Sequence, residues 1–258
     1  MSAFTVAALA VYPVKGAAAV ALQAFEVQDC GPDADRRYCL VRPGGRVFTQ
    51  RDDPGLARLR AALRGEHLSL EFDGEQLAVG PGAFVATAEI RVWSRSATAR
   101  VADAGTNACV SQWFGTPLLL AKLEHPLQRE GAALAFGDAA ALLVANLASL
   151  DALNAALLAP VPMDRFRPNI IVGGAAAYAE DGWRKLRVGG ALLAPVHPCG
   201  RCQVTTIDQE FGAVLGDEPL RTLARLRTRD GEAVFGVRYA VERPGRVRVG
   251  DRVEPLDQ

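Results

Sequence analysis

The segment "EAVFGVRYAVERPGRVRVGDRVEPL", residues 232–256, contains three short runs rich in β-branched and aromatic residues. Turn residues separate the runs: Pro244 and Gly245 follow the first, and Gly250 and Asp251 follow the second. Short runs of this kind, bounded by Gly, Pro and Asp, are typical of antiparallel strands joined by tight turns. The end of the chain therefore predicts three consecutive strands.

Strand-like runs dominate the rest of the chain as well. They include "FTVAALAVYPV" from residue 4, "RYCLV" from residue 37, "HLSLEFD" from residue 67 and "WRKLRVGGALLAPV" from residue 183. The last of these predicts two strands around Gly189 and Gly190. The run "GGRVF", residues 44–48, belongs to a Pro-Gly-Gly turn and predicts a hairpin.

Helical patterns are fewer, and no nucleotide-binding loop accompanies them. We expect helices over Asp53–Gly65 and Asp103–Gly115, and a third that begins with Ser149 as its N-cap and ends before Pro160. The sequence has no Gly-x-Gly-x-x-Gly after a strand and no Walker loop. The predicted fold class is mainly β with peripheral helices (α+β), built from β-barrels rather than a doubly wound sheet.

Composition narrows the possible partners and compartment. The chain has 258 residues, of which 29 are basic and 29 acidic, so its net charge gives no reason to expect nucleic acid or a membrane surface as a partner. Its length fits one large β-rich domain or two smaller ones, and the stretch 125–135 is the best candidate boundary. Five cysteines at irregular spacing do not form a disulfide framework. We therefore expect reduced thiols and a cytoplasmic protein.

Two of the cysteines lie close together in "HPCGRCQVTTID", residues 197–208. A zinc site would need two further ligands, and His197 lies only two residues from Cys199. A thioredoxin-like dithiol would need a strand that leads into a helix, whereas this pair precedes another strand-like run. Two core cysteines in a turn, or one soft thiolate ligand for a transition metal held mostly by its own organic cofactor, also remain open.

Several cations lie on turns where side chains can converge. Lys15 follows "YPV", Arg36 lies in "DRRY", and Arg51 lies in "FTQRDDP". Arg167 lies in "FRPN", two residues before Asn169, which offers both a hydrogen-bond donor and an acceptor. Each cation alone would be an ordinary solvated charge. Together they permit a ligand that carries phosphate.

The chain resembles a known family in five segments that occur in the same order. These are "YPVKG", "DRRYCLV…GRVFTQRDDPGLARL", "FGDAAALLVANLASLDALNA", "VPMDRFRPNIIVGGAAAYAEDGWRKLRVG" and "PCGRCQVTTID". The set is similar to MOSC-domain proteins with an N-terminal MOSC β-barrel, as in YcbX-type proteins and the mitochondrial amidoxime-reducing components. The resemblance implies an N-terminal MOSC β-barrel over residues 1–120 and a MOSC domain over residues 121–258.

The resemblance also implies the molybdenum cofactor, a molybdopterin that carries molybdenum. Cys202 matches the family's metal ligand and is the expected catalytic residue, with Thr205 and Thr206 beside it. The positions expected around the pterin and its phosphate are Lys15, Arg36, Arg167 and Asn169, and Arg51 joins them as a further candidate cation. A soft thiolate suits such a metal, and cationic side chains suit phosphate.

The resemblance implies two alternative functions. The first is a molybdenum-cofactor-dependent oxidoreductase that reduces small N-hydroxylated or N-oxygenated compounds with electrons from a separate flavoprotein or ferredoxin-type partner. The alternative is a cofactor-binding or sulfur-carrier module, in which Cys202 bears a persulfide. We expect neither the iron–sulfur domain nor the membrane anchor that some members of the family carry.

Overall fold

The computed structural model describes residues 4–92, 95–129, 132–137 and 139–256. The strands of the first half are β1 (Phe4–Val11), β2 (Val20–Leu22), β3 (Ala24–Gln28), β4 (Gly31–Pro32), β5 (Tyr38–Val41), β6 (Arg60–Arg64), β7 (His67–Phe72), β8 (Glu75–Val79), β9 (Phe84–Val92), β10 (Arg95–Ala102), β11 (Leu119–Leu123) and β12 (Leu127–Arg129). Those of the second half are β13 (Ala132–Leu134), β14 (Leu142–Asn146), β15 (Ile170–Gly173), β16 (Lys185–Val188), β17 (Ala191–Gly200), β18 (Ile207–Asp208), β19 (Ala213–Val214), β20 (Thr228–Arg229), β21 (Glu232–Arg243), β22 (Gly245–Arg248) and β23 (Arg252–Leu256).

Helices are short and peripheral. The α-helices are α1 (Ala104–Trp113), α2 (Leu147–Asn154) and α3 (Leu220–Leu226), and the 3-10 turns are Pro54–Arg58, Pro81–Ala83, Met163–Phe166, Ala179–Gly182 and Gln203–Thr206. Within the described ranges, none of the helices has the length and apolar character needed to cross a bilayer. The predicted fold class, mainly β with peripheral helices, is confirmed.

A closed barrel forms the larger part of the second half. Its strands follow the order β14-β15-β1-β23-β16-β17-β21, and β21 pairs back with β14 to close the ring. Inward-facing side chains fill its interior, among them Val6, Leu9, Val144, Ile170, Val172, Leu186, Leu193, Tyr239 and Val253. The three strands predicted at the end of the chain are confirmed as β21, β22 and β23, and the pair around Gly189 and Gly190 as β16 and β17.

The first strand of the chain lies in this same barrel. β1 pairs antiparallel with β15, where Leu9 faces Ile170, and with β23, where Thr5 faces Arg252. The end of β1 therefore delivers the following residues, including Lys15, to the barrel rim. The division between residues 120 and 121 stays a prediction, and residues 130 and 131 of the expected boundary lie outside the described ranges.

The first half has its own sheets and its own core. A four-stranded sheet has the order β5-β11-β10-β9, and a three-stranded meander has the order β6-β7-β8. Their shared interior includes Tyr38, Leu40, Phe48, Leu56, Leu59, Leu68, Leu70, Phe84, Val110 and Leu120. This packing holds the segment 49–51, which follows Phe48, against the barrel.

The helix predicted over Asp53–Gly65 is wrong. Asp53 does act as a cap, accepting a hydrogen bond from the backbone of Gly55 at 2.8 Å, but only the 3-10 turn Pro54–Arg58 follows it. The chain then continues as β6, which pairs with β7 and places Ala61 opposite Leu70. Pairing with β7 and burial of Ala61 override the helix propensity of this Ala- and Leu-rich segment.

The other two predicted helices differ in accuracy. The helix over Asp103–Gly115 is confirmed as α1, whose N-cap Asp103 accepts from the backbone N–H of Thr106 at 2.7 Å. The third helix exists as α2, but its N-cap is Asn146 and not Ser149. Ser149 lies inside the helix and donates to the buried carboxylate of Glu180 at 2.7 Å. The sequence analysis did not predict α3.

Candidate functional site

A cavity of about 430 Å³ lies between the barrel rim and the first half of the chain. This volume falls in the usual range for small-molecule sites. Its described lining is strongly basic and contains one acidic side chain, Glu232. The basic side chains are Lys15, Arg36, Arg51, Arg165, Arg167, Arg201 and Arg238. The predicted residues Asn169, Cys202 and Thr205 also line this cavity, whereas Thr206 does not.

Cys202 occupies the turn between β17 and the 3-10 turn Gln203–Thr206, for which it is the N-cap. The backbone N–H and the hydroxyl of Thr205 each donate to the carbonyl of Cys202 at 3.0 Å. The hydroxyl of Thr206 donates to the carbonyl of Gln203 at 2.8 Å. Both threonines are buried and fix the turn, so that the thiol of Cys202 stays partly exposed at the cavity wall.

The two neighbouring cysteines have different environments. All five cysteines are free thiols, and Cys199 is buried whereas Cys202 is partly exposed. Among the residues that the structure describes, no three His, Cys, Asp or Glu side chains come together in a way that could hold a metal ion. Both cysteines line the basic cavity, and Cys202 is the more exposed of the two.

Arg51 connects the first half of the chain to this thiol. Its Nη2 donates a hydrogen bond to Sγ of Cys202 at 2.9 Å. The turn that carries Arg51 is held by Asp52, whose carboxylate accepts from the backbone and the hydroxyl of Thr49 at 2.9 and 3.0 Å. The predicted cation is therefore brought into direct contact with the predicted ligand, by contact between the two halves.

Tyr12 is a site residue that the sequence analysis missed. Its buried ring lies 4.7 Å from the guanidinium carbon of Arg36 and 4.1 Å from that of Arg167. Its hydroxyl donates to the carbonyl of Pro168 at 3.2 Å, and burial raises the pKa of Tyr12 to about 12. The neutral ring attracts both cations and positions them at the cavity. The position of this aromatic residue in "YPVKG" was the available signal.

Arg36 and Arg167 both have left-handed backbones, with φ of 50° and 55°. Such a conformation costs an L-residue about 1–2 kcal/mol and often occurs at functional sites. Arg36 also pairs with the carboxylate of Asp35, which accepts from the backbone N–H of Tyr12 at 2.8 Å. The two strained residues, Arg36 and Arg167, are both cations that line the cavity.

Asn169 and Lys15 are held by backbone groups of neighbouring strands. The fully buried Asn169 accepts from the backbone N–H of Leu143 at 3.1 Å and donates to the carbonyl of Ala10 at 3.2 Å. It thereby joins β14 to β1 beneath the cavity. The Nζ of the nearly buried Lys15 donates to the carbonyl of Phe136 at 2.9 Å. That these two residues contact a pterin stays a prediction.

Gln50 and Gln209 form a second contact between the halves that the sequence analysis did not find. Their amides exchange two hydrogen bonds at 3.0 and 3.1 Å, and Gln50 also donates to the carbonyl of Gly16 at 2.7 Å. Arg167 donates from Nη1 to the side-chain oxygen of Gln209 at 3.1 Å. No sequence signal marks this pair, because glutamine at a turn is ordinarily solvated.

Two further arginines that line the cavity hold the cysteine turn in place. Arg165 is buried and pairs with Asp208 at 2.8 Å, which joins the turn Met163–Phe166 to β18. Arg201 donates two hydrogen bonds to the carbonyl of Phe235, from Nε at 3.0 Å and from Nη2 at 2.6 Å. Its Nη1 donates to the carbonyl of Phe166 at 3.0 Å. These bonds fix Arg201, and with it the neighbouring Cys202, against β21.

Two family models match the chain, one in each half. The MOSC N-terminal beta barrel domain matches residues 3–118, and the MOSC domain matches residues 131–254. The matched ranges together contain every predicted site residue, from Lys15 to Thr206.

Relatives match over nearly the whole chain. Mitochondrial amidoxime-reducing component 1 of Xenopus laevis is 31% identical over 96% of this chain and 81% of that protein. Mitochondrial amidoxime reducing component 2 of Rattus norvegicus is 30% identical over 96% of this chain and 82% of that protein. A molybdenum cofactor sulfurase of Oryza sativa subsp. japonica is 28% identical over 88% of this chain but only 31% of its own length.

Proposed function

This chain belongs to the family of proteins that combine an N-terminal MOSC β-barrel with a MOSC domain, and from that premise we propose that it is a molybdenum-cofactor-dependent oxidoreductase. Its substrates are small N-hydroxylated or N-oxygenated compounds. The observation that carries the proposal is the partly exposed Cys202 thiol, which faces a basic cavity and accepts a hydrogen bond from Arg51. The relatives named for amidoxime reduction supply the reaction class.

The residues present fit this cofactor. Lys15, Arg36 and Arg167 would hold the phosphate of the pterin, because guanidinium and ammonium groups bind phosphate through charge-assisted hydrogen bonds. Tyr12 and the left-handed backbones position two of these cations before any ligand binds. Cys202 would provide the soft ligand that a transition metal prefers when its other ligands come from an organic group.

When bound, the cofactor supplies the redox-active metal for reduction of the N–O group. The chain supplies the binding groups and the shape of the cavity. Thr205 holds the turn of Cys202 in place, and Arg51 orients the sulfur with an N–H from a cation. Asn169 keeps β1 and β14 together beneath the site, so the cavity keeps its shape.

We propose that electrons come from a separate flavoprotein or ferredoxin-type protein. The five cysteines lack iron–sulfur spacing, and the sequence has no glycine-rich dinucleotide loop. The relatives are named as components, which fits a reductase that works with a partner. The proposed location is the cytoplasm, because five free thiols suit a reducing compartment.

A second candidate function is transfer of sulfur from a persulfide on Cys202. It is favoured by the exposure of this thiol and by the similarity to a molybdenum cofactor sulfurase. The experiment that separates the two starts with protein made in a host that synthesises the cofactor. Molybdenum in the purified protein, with turnover of N-hydroxylated benzamidine by reduced viologen, supports the reductase. A persulfide without molybdenum supports the carrier.

A further inference from the structure

A second cavity, of about 530 Å³, adjoins the first. Lys15, Thr49 and Arg51 line both cavities, so the two share one wall. The remaining described residues that line the second cavity are Arg46, Val47, Asp52, Arg91 and Val92. Arg51 also contacts the sulfur of Cys202, so one residue of the shared wall touches the thiol of the first cavity.

The wall of this second cavity has an excess of positive charge. Four of its described residues are cations, and Asp52 is the one carboxylate. Asp52 is already engaged with Arg46 at 2.7 Å. Although burial opposes it, hydrogen bonds from Arg46 and Thr49 hold the pKa of Asp52 below its usual value. The charge of Asp52 therefore offsets that of Arg46, and the described residues of the wall keep a net positive charge.

Arg91 is an exposed cation of this wall. Its guanidinium contacts the carbonyl of Gly44 at 3.4 Å, and in the part of the chain that the structure describes no carboxylate lies within ion-pair distance of it. A β-bridge pairs Arg91 with Arg46, so the two arginines of this wall lie at neighbouring backbone positions. Because Asp52 offsets the charge of Arg46, Arg91 is the cation of this pair that a bound anion would contact first.

The backbone that carries these two arginines is firmly held. The N–H of Arg91 donates to the carbonyl of Gly45 at 2.7 Å. Gly45 has φ of 83°, and a Cβ there would lie 2.2 Å from the carbonyl oxygen of Glu89. This close approach of two backbones fixes the main chain that carries the arginine pair.

We propose that the second cavity binds an anionic group, a carboxylate or a phosphate, on the same molecule whose N–O group is reduced in the first cavity. This inference rests on the proposed reductase function and names its substrate class: N-hydroxylated compounds with an anionic substituent. Arg91 is the specificity-determining residue, with Arg46 beside it. The unsubstituted compounds would lack this contact.

Direct binding tests the proposal without turnover. Isothermal titration of the full chain compares N-hydroxybenzamidine that carries a para-carboxylate with the same compound without it. Wild-type protein should bind the carboxylated probe about three- to tenfold more tightly, since one exposed charge-assisted contact provides up to about a decade. Arg91→Gln should bring the ratio close to one. Arg225→Gln, an exposed arginine on α3, is the matched control and should keep the wild-type ratio.

Inorganic phosphate distinguishes a substrate group from a free anion. If phosphate displaces the carboxylated probe from wild-type protein but not from Arg91→Gln, the cavity accepts either source. If phosphate does not compete, the cavity is specific for the substrate's own carboxylate. Equal affinity of wild-type protein for both probes, or an unchanged preference in Arg91→Gln, overturns the proposal.

Kinetics then separates this proposal from the function on which it rests. With reduced viologen as electron source, Arg91→Gln should lower the kcat/KM ratio of the carboxylated to the unsubstituted compound, through KM rather than kcat. Absence of turnover by protein that contains molybdenum, together with Arg91-dependent binding, removes the reductase function and keeps the anion site. Turnover of both compounds with no carboxylate preference keeps the reductase function and removes the anion site.

Discussion

Arg51 donates a hydrogen bond to the sulfur of Cys202 at 2.9 Å, although 151 positions separate the two residues in the chain. Arg51 lies in the first half, and Cys202 follows the barrel strand β17. Gln50, the residue before Arg51, makes a second contact between the halves through its two hydrogen bonds with Gln209. The site is thus a product of contact between the two halves, and changes that loosen this contact should affect ligand binding before they affect either core.

Arg167→Ala should reduce retention of the cofactor more than it reduces stability. Each charge-assisted contact to phosphate contributes about 1.5–3 kcal/mol, which is about one to two decades in affinity. Molybdenum content after gel filtration measures retention, and urea unfolding measures stability. The control is Arg225→Ala, which should change unfolding by less than about 0.5 kcal/mol and keep the molybdenum. Retention equal to wild type would show that Arg167 does not hold the cofactor.

Tyr12 should act through its ring more than through its hydroxyl. Tyr12→Phe loses the bond to the carbonyl of Pro168 and should cost about 0.5–1.5 kcal/mol of unfolding free energy. Tyr12→Leu also loses the ring contacts with Arg36 and Arg167, each of which contributes about 0.5–2 kcal/mol. Cofactor retention should therefore fall in the leucine variant and stay near wild type in the phenylalanine variant. Equal retention in both would show that the ring does not position the arginines.

The sequence was sufficient to predict the site residues that lie on recognisable turns. Cys202 lies in a compact motif, and Lys15 and Arg167 lie within two residues of prolines that take the chain out of regular structure. All three line the cavity. The strands at both ends of the chain were also predictable, because their apolar runs are bounded by turn residues.

Contacts over long sequence distances could not be predicted in this way. Tyr12 contacts the segment around Pro168 across 156 positions, and Gln50 contacts Gln209 across 159. Neither residue type signals such a partner locally. The helix prediction for Asp53–Gly65 was wrong for the same reason. Pairing of β6 with β7 determined the structure of the second part of this segment and outweighed its helix propensity. The second cavity depends on the arginine pair at the Gly45 turn and had no sequence signal either.

Asp208 should make stability depend on pH in the acidic range. The backbone N–H of Phe211, then that of Glu210, and the charge of Arg165 hold the pKa of Asp208 below its usual value. A lowered pKa in the folded state stabilises the protein above the unfolded value of about 3.9, and this contribution is lost as pH falls through the folded value. Asp208→Asn should therefore unfold more easily at pH 7.

Urea unfolding of wild-type protein and Asp208→Asn between pH 2 and pH 7 checks this prediction. The difference between the two unfolding free energies should be constant near neutral pH and should shrink below about pH 4. Asp217, which is exposed on the protein surface, offers Asp217→Asn as the control, with little change across the range. A difference that grows on acidification would contradict the direction of the pKa shift.

The isolated chain should not use nicotinamide directly. With NADH or NADPH and an N-hydroxylated substrate we expect no turnover, because the sequence has no recognisable dinucleotide loop. Reduced viologen should bypass the missing partner, and a flavoprotein or ferredoxin from the same cell should restore turnover with nicotinamide. Turnover by the isolated chain with NADPH alone would refute the need for a partner protein.

The most direct test of the account measures molybdenum content and viologen-driven reduction together in wild-type protein, Cys202→Ser and Cys199→Ser. A hydroxyl is a harder and less acidic ligand than a thiol, so Cys202→Ser should lose reductase activity while its unfolding stays near wild type. Cys199→Ser, at the buried neighbour, should keep most of the activity. The account predicts stoichiometric molybdenum and turnover in the wild type. Near-wild-type turnover by Cys202→Ser with bound molybdenum, or a wild-type chain with a persulfide and no molybdenum, would contradict it.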